Sequence, residues 1–326
     1  MSVPAPISVV IPCYNAVRYI GATLRSVLAQ QVPQLDVVVV DDGSSDGAPE
    51  LVARDFPQVR LIRQPNQGVA VARNTGIAAA RSDWIAFVDA DDIWLPGKLQ
   101  AQWQALQALR TPGQASDQPP ARLSYTAWHV WPSTDPEPTA ALLAELAAQA
   151  GDPARWAGPT GWIYPELLLS CEVWTSTVLA HRSLFEEAGV FDPTLRQGED
   201  WDLWLRASRL TPIVRVPQPL ALYRMHPHNI TKSVPEVNYA HQVVSRALDR
   251  WGHAGPDGRR AEPAAVNRAL AQTWSDLAGL CLMAGQPLRA RDAARASIAA
   301  SPRHWPAWKL WAKACARGLI VGRPPV

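Results

Sequence analysis

Three acidic clusters are spaced along the chain so that they could do chemistry together. The first, Asp41-Asp42-Gly43-Ser44-Ser45-Asp46-Gly47, sets two adjacent carboxylates ahead of a Gly-Ser turn. A carboxylate there can accept the imide N–H of a uracil-like ring or bond a ribose hydroxyl, and the same residues can equally form an Asx-type turn capping the next helix. The second, Asp89-Ala90-Asp91-Asp92, has the composition that Mg²⁺ or Mn²⁺ prefers: one or two protein carboxylates, with the remaining positions left to water and substrate phosphates. A solvated acidic turn capping a helix is the competing account of it. The third, Glu199-Asp200-Trp201-Asp202, offers a carboxylate that could remove a proton from a hydroxyl. Acids in the first turn of a helix are also favoured by the helix dipole, and that alone accounts for the cluster. Between the first two clusters lies Arg73-Asn74, whose guanidinium could fork onto a phosphate or pair with one of the nearby acids.

The elements that must position these groups are readable from hydrophobic patterning. Ile7 to Ile11, Asp36 to Val40 and Trp84 to Val88 are short runs apolar on both faces, which suits strands of a parallel sheet covered by helices. Ala16 to Gln30 has helical spacing, with Tyr19, Ile20, Leu24, Val27 and Leu28 on one face, and Lys98 to Arg110 is a further helical stretch. The pattern is an open α/β sheet over the first hundred or so residues. Ligands bind beyond the carboxyl ends of such strands. Pro12-Cys13-Tyr14-Asn15, the Asp41 cluster and the Asp89 cluster each follow a strand, so one sheet edge collects them.

Thr111 to Pro120 (TPGQASDQPP) reads as a linker or surface loop, and Pro132 to Pro165 as an insertion with one helix around Thr139 to Ala150. In the tail, Trp274, Leu277, Ala278, Cys281, Ala290, Ala294 and Pro302 fall at tetratricopeptide spacing, and Trp308, Trp311, Ala312 and Cys315 restart the pattern one period on. Such repeats bury their faces by stacking on neighbours, which points to packing on the catalytic unit, on a second subunit or on a protein partner; an ordinary helical hairpin is the plainer account.

With 31 Lys and Arg against 29 Asp and Glu, the formal charge of +2 gives no footprint for nucleic acid or for a strongly anionic membrane. No apolar stretch approaches the roughly 20 residues that span a bilayer, and the start lacks a signal-peptide pattern. A cytoplasmic protein is expected, with contact at the inner face of the membrane compatible with the sequence. Cys13, Cys171, Cys281 and Cys315 are scattered and read as thiols without chemistry.

The blocks ISVVIPCYNA, VVVVDDGSSDG, GVAVARNTGIAAA and WIAFVDADDIW, in this order and spacing, resemble the nucleotide-binding half of glycosyltransferase family 2, an inverting family of bacterial type. VWTSTVLAHRSLFEEAGVFDPTLRQGEDWDLWLR and PLALYRMHPHNIT continue the resemblance, which runs from Ser2 to Thr231. It implies a GT-A fold, a doubly wound, Rossmann-like mixed α/β sheet, here with a C-terminal α-helical extension. Residues 1–110 would bind the nucleotide sugar, 111–232 would hold the acceptor and the base, and 233–326 would be the helical tail.

The resemblance further implies that Asp42, with Asp41 beside it, contacts the nucleoside, and that Pro12 and Tyr14 line the base pocket. Asp89 would lie near the ribose and the metal, Asp91 would bind Mn²⁺ or Mg²⁺, and His226 would approach the metal or diphosphate. Arg73 and Asn74 are placed with the nucleotide. Asp200 is the expected catalytic base, with Glu199 as its alternate, while Trp174 and Trp201 either flank the acceptor or pack in the core. The expected reaction is inverting transfer from a nucleotide-diphosphate sugar, a UDP-sugar by preference, to a glycan or lipid-linked acceptor in polysaccharide assembly. A sugar nucleotidyltransferase would show a Gly-rich loop carrying Arg or Lys after the first strand, and IPCYNA lacks it. A non-catalytic scaffold acting through the tail is the remaining rival.

Overall fold

The computed structural model describes residues 4–108, 119–227, 229 and 232–321; the linker expected at 111–120 lies almost wholly outside them. Eight strands form one mixed sheet. They are β1 (Ile7–Cys13), β2 (Leu35–Asp41), β3 (Arg60–Arg63), β4 (Trp84–Phe87), β5 (Ile93–Trp94), β6 (Leu123–Pro132), β7 (Leu179–His181) and β8 (Ile213–Met225), in the order β3-β2-β1-β4-β7-β6-β8-β5. The β3-β2-β1-β4 half is all parallel, as expected where its central strands β1 and β4 are buried along their whole length. All of β1 is buried, and Val37 to Val40 of β2 with it. Beyond β4 the pairing becomes mixed: β7 runs antiparallel to both β4 and β6, β8 parallel to β6, and β5 antiparallel to β8.

The register of β6 against β8 shifts around Thr126, Ala127 and His129, opposite Pro217 and Pro219. Proline has no N–H to give the ladder, so the strand cannot keep regular pairing there. The first expected helix is shorter than its apolar spacing suggested: Ala16 to Tyr19 form a turn, and the helix runs Ile20–Leu28. The helix expected from Lys98 begins there and is described to Ala108. In the insertion, Thr139 caps the helix Ala140–Gln149 by accepting from the Leu142 amide. Its one buried residue, Leu146, packs with Ile93, Trp131, Val216 and Leu222.

The chain divides into two compact units, Met1–Ile163 with Glu172–His226, and Tyr164–Cys171 with Pro227–Val326. In the second, the helices Pro263–Met283 and Pro287–Ala300 pack antiparallel, with the Ser275 and Ser297 hydroxyls 3.0 Å apart. Leu277, Ala278, Cys281, Ala290 and Ala294 form their shared core together with Ala314 of the Trp305–Val321 helix. Small residues at these positions let the helix axes approach closely, which is why the repeat spacing was visible. Tyr164 is tied into this unit through its hydroxyl, which donates to the carbonyls of Ala247 (3.1 Å) and Gly252 (2.7 Å). That attachment has no signature in the sequence.

The helix Val69–Ala79 lies on β1 and β2 at a spacing that Gly76 sets. A Cβ there would sit 2.2 Å from Val10 Cγ1. Gly76→Ala is expected to destabilise the first unit by about 1–3 kcal/mol, and Val10→Ala in the same chain to recover part of that loss. Urea melts of the two single variants and the double variant measure this; additive losses would mean that the two residues do not share the contact.

Candidate active site

The carboxyl ends of β1 and β2 are paired, Cys13 opposite Asp41, and the loops that follow them are latched together. Asn15 N donates to Ser44 Oγ, Ser45 N to Asn15 Oδ1, and Val17 N to Asp46 Oδ2. Asp41 and Asp42 serve this architecture. Asp41 Oδ1 accepts from the Ser44 amide in an Asx turn, with Arg63 Nε 3.4 Å from its other oxygen. Asp42 accepts from Gln64 Nε2 and the Gln67 amide on one oxygen and from the Gly68 amide on the other. It thereby fixes the segment leading into the Val69–Ala79 helix, where Gly68 takes a φ of +93° open to few residues besides glycine. Both carboxylates are buried, Asp42 with three amide donors and Asp41 with the Ser44 amide and Arg63. Pro12 is buried, whereas Tyr14 is 55% exposed at the rim.

Arg73 and Asn74 are engaged within the chain: both terminal nitrogens of Arg73 are paired with carboxylates, Nη1 with Glu199 Oε1 at 2.6 Å and Nη2 with Asp89 Oδ1 at 2.7 Å. Arg73 is 4% exposed, and its guanidinium lies over the Phe191 ring. Asn74 closes a two-way pair with the Phe191 backbone, Nδ2 donating to its carbonyl and Oδ1 accepting from its amide. These two residues join the first-strand side of the sheet to the segment that carries the expected base.

The turn after β4 separates the acids that the sequence reading grouped as metal ligands. Asp89 faces Arg73, while Asp91 Oδ2 lies 2.9 Å from His226 Nε2. His226, at the end of β8, is oriented by stacking on Tyr19 with centroids 5.0 Å apart. Asp92, which no sequence argument singled out, is the buried hub of the turn. Its carboxylate accepts from the Ser176 hydroxyl (2.6 Å) and the Arg224 amide (3.1 Å), and burial together with Asp91 and Asp89 pushes it well above the usual carboxylate range. Ser176 Oγ also accepts from the Asp89 amide. Arg224 donates to the carbonyls of Asp91, Asp135 and Pro136 between the rings of Tyr19 and Trp131, so it fixes the turn's backbone.

Glu199 and Asp200 open the helix Glu199–Ala207, after Gly198 in the left-handed region. Asp200 Oδ1 accepts from the Trp201 amide and Oδ2 from the Thr175 hydroxyl at 3.0 Å. A carboxylate has about four lone-pair directions, so two remain for a proton donor. Glu199 is buried against Arg73; its burial and the neighbouring Asp200 charge push it up to about 7. Its carboxylate pairs with Arg73, and Asp200 is the more exposed of the two. Trp174 packs edge-on against Tyr223 and tilted against Trp128, forming an aromatic wall next to Thr175. Thr175 and Ser176 went unnoticed because isolated hydroxyl residues carry no periodicity or composition signal.

Folded Glu199 keeps its proton to about pH 7, against 4.5 for an unperturbed glutamate, so the native state binds more protons across that window. Stability therefore falls as pH rises from about 4.5 to about 7, by roughly 3 kcal/mol from this residue. Glu199→Gln is expected to flatten that fall in urea melts at pH 5 and pH 8. An unchanged pH slope would show that Glu199 is ionised throughout.

Residues 8–122 match the model of the family described as glycosyl transferase family 2. An uncharacterized glycosyltransferase of Rickettsia conorii is 25% identical over 221 residues, 67% of this chain and 33% of that protein. A putative teichuronic acid biosynthesis glycosyltransferase of Bacillus subtilis is 37% identical over 101 residues, 29% of this chain and 40% of its own length. The chain thus spans about a third of the length of the Rickettsia relative. In fold it is similar to residues 1–349 of S. aureus TarS solved in complex with UDP-GlcNAc, with a TM-score of 0.60 at 16% identity over 91% of this chain and 81% of that one. The mixed sheet has the GT-A fold of that structure, residues 8–122 match the glycosyl transferase family 2 model, and a helical extension follows.

Proposed function

We propose that this chain transfers a sugar from a UDP-sugar to an acceptor hydroxyl with inversion at the anomeric carbon, in the assembly of a polysaccharide or other glycan. The observation that carries the reading is the pairing of Asp91 with His226 on one side of the site and the part-open carboxylate of Asp200 on the other, joined by the Arg73 bridge. Like folds and relatives support the substrate class: the TarS fragment is complexed with UDP-GlcNAc, and the Bacillus relative is named for teichuronic acid synthesis.

The residues present fit a divalent cation. Asp91 Oδ2 and His226 Nε2 already face each other across 2.9 Å, a donor pair that a cation could share. Two protein ligands suffice for an ion that takes the rest of its shell from water and diphosphate, and an imidazole among them favours Mn²⁺ over Mg²⁺. Among the described residues no group of three His, Cys, Asp or Glu could hold a metal, so the donor would complete the site. When bound, such an ion neutralises the charge that gathers on the departing diphosphate. Asp89, the other expected ligand, pairs with Arg73 at 2.7 Å.

The chain's own residues supply the remaining work. Asp200, oriented by Thr175, accepts the acceptor's hydroxyl proton as the oxygen forms its bond to the anomeric carbon. The bond from that carbon to the diphosphate oxygen breaks with its electron pair leaving on the nucleotide. Trp174, braced by Trp128 and Tyr223, offers a flat apolar face on which a sugar can stack.

Release of UDP from UDP-sugars, with and without acceptor, tests this reading. Asp200→Asn in a folded chain is expected to lower transfer by roughly 10²–10⁴-fold, the usual contribution of a positioned general base. Asp91→Asn and His226→Ala are each expected to raise the Mn²⁺ concentration needed for half-maximal rate. Turnover that is indifferent both to a chelator and to Asp200→Asn would sink the proposal.

A further inference from the structure

The near-neutral charge of the whole chain conceals a division. Residues 227–326 carry 14 Lys and Arg against 6 Asp and Glu, and residues 1–226 carry 17 against 23. The asymmetry sharpens toward the end: from Ala293 onward there are six basic residues and no acidic one. Within that stretch the helix Trp305–Val321 buries Ala307 and Ala314 and turns Trp305, Trp308, Lys309 and Lys313 outward. Trp305 is 73% exposed. Met283, 79% exposed, borders the same helix across a hollow shared with Pro306 and Leu310.

An outward tryptophan pair costs solvation unless something covers it, and its surroundings say what that is. Protein interfaces are depleted of lysine at their cores, whereas Lys309 and Lys313 flank these rings directly. Indole rings beside lysines suit the boundary between headgroups and acyl chains: the rings enter it, and the ammonium groups stay with anionic phosphates. No helix among the described residues is long and apolar enough to cross a membrane, so this one would lie in the surface. We infer that the outward face of the Trp305–Val321 helix docks the protein on an anionic lipid bilayer.

Co-sedimentation of the full chain with mixed phosphatidylglycerol–phosphatidylcholine vesicles, and with pure phosphatidylcholine vesicles, tests the inference. Binding is expected to the anionic vesicles alone. It should weaken between about 0.1 M and about 1 M salt, as the screening length falls from about 10 Å to about 3 Å. Lys309→Glu with Lys313→Glu should lower the partition coefficient by roughly tenfold or more, from the loss of about 1 kcal/mol per basic residue at the surface. Trp305→Ala should lower it independently. All three positions are exposed, so an unchanged circular dichroism spectrum and melting point would show that the variants remain folded. Failure of the unaltered chain to bind anionic vesicles, or undiminished binding by the charge-reversed variant, would overturn the inference. A stable dimer of the full chain that Trp305→Ala dissociates would overturn it in favour of self-association.

Discussion

The first unit depends on one buried cation. Arg73, near the start of a helix on the parallel half of the sheet, is ion-paired to Asp89, 16 residues away, and to Glu199, 126 residues away. Three acids bear on it, Asp200 more distantly than the other two, and they hold its charge in place against the cost of burial. The reverse dependence matters more. Without Arg73, Asp89 and Glu199 would face each other and Asp200 in a poorly solvated setting, at a cost of about 3–5 kcal/mol for a broken buried pair. The geometry of both ends of the site thus hangs on this one residue.

Around that bridge the acids divide by solvation. Asp41, Asp42 and Asp92 are buried, accept from amides and a hydroxyl, and shape the loops at the carboxyl edge of the sheet. Asp91 and Asp200 are more open and keep lone pairs free. The Thr175–Thr177 turn couples the two groups, since Thr175 steers Asp200 while Ser176 binds both Asp92 and the Asp89 amide. A rigid, acid-lined edge of this kind favours a cation and the polyanion that the cation carries with it.

The parallel half of the sheet was legible because ISVVI, VVVV and WIAFV are apolar on both faces, a pattern fixed by local burial. The acidic clusters were legible for a related reason: each follows directly on such a strand. Which acids face a ligand was not legible, because it depends on partners far away in sequence. Asp42 is bound by amides 25 and 26 residues on, and Arg73 by an acid beyond the linker. Nor could the irregular β8, with its two prolines, or the capture of Tyr164 by the second unit be read from periodicity. In the tail the situation inverts: the repeat spacing was plain, but the total charge masked the basic, tryptophan-bearing face.

The account rests on the claim that Arg73 is architectural and that Asp91 with His226 receives the cation. A crystal structure of the chain with UDP and Mn²⁺, with the metal located by its anomalous scattering, tests this most directly. The account predicts Mn²⁺ coordinated by Asp91 Oδ2, His226 Nε2 and the diphosphate, with Arg73 still between Asp89 and Glu199. A diphosphate bound by Arg73, with Glu199 released and no metal beside Asp91, would contradict it.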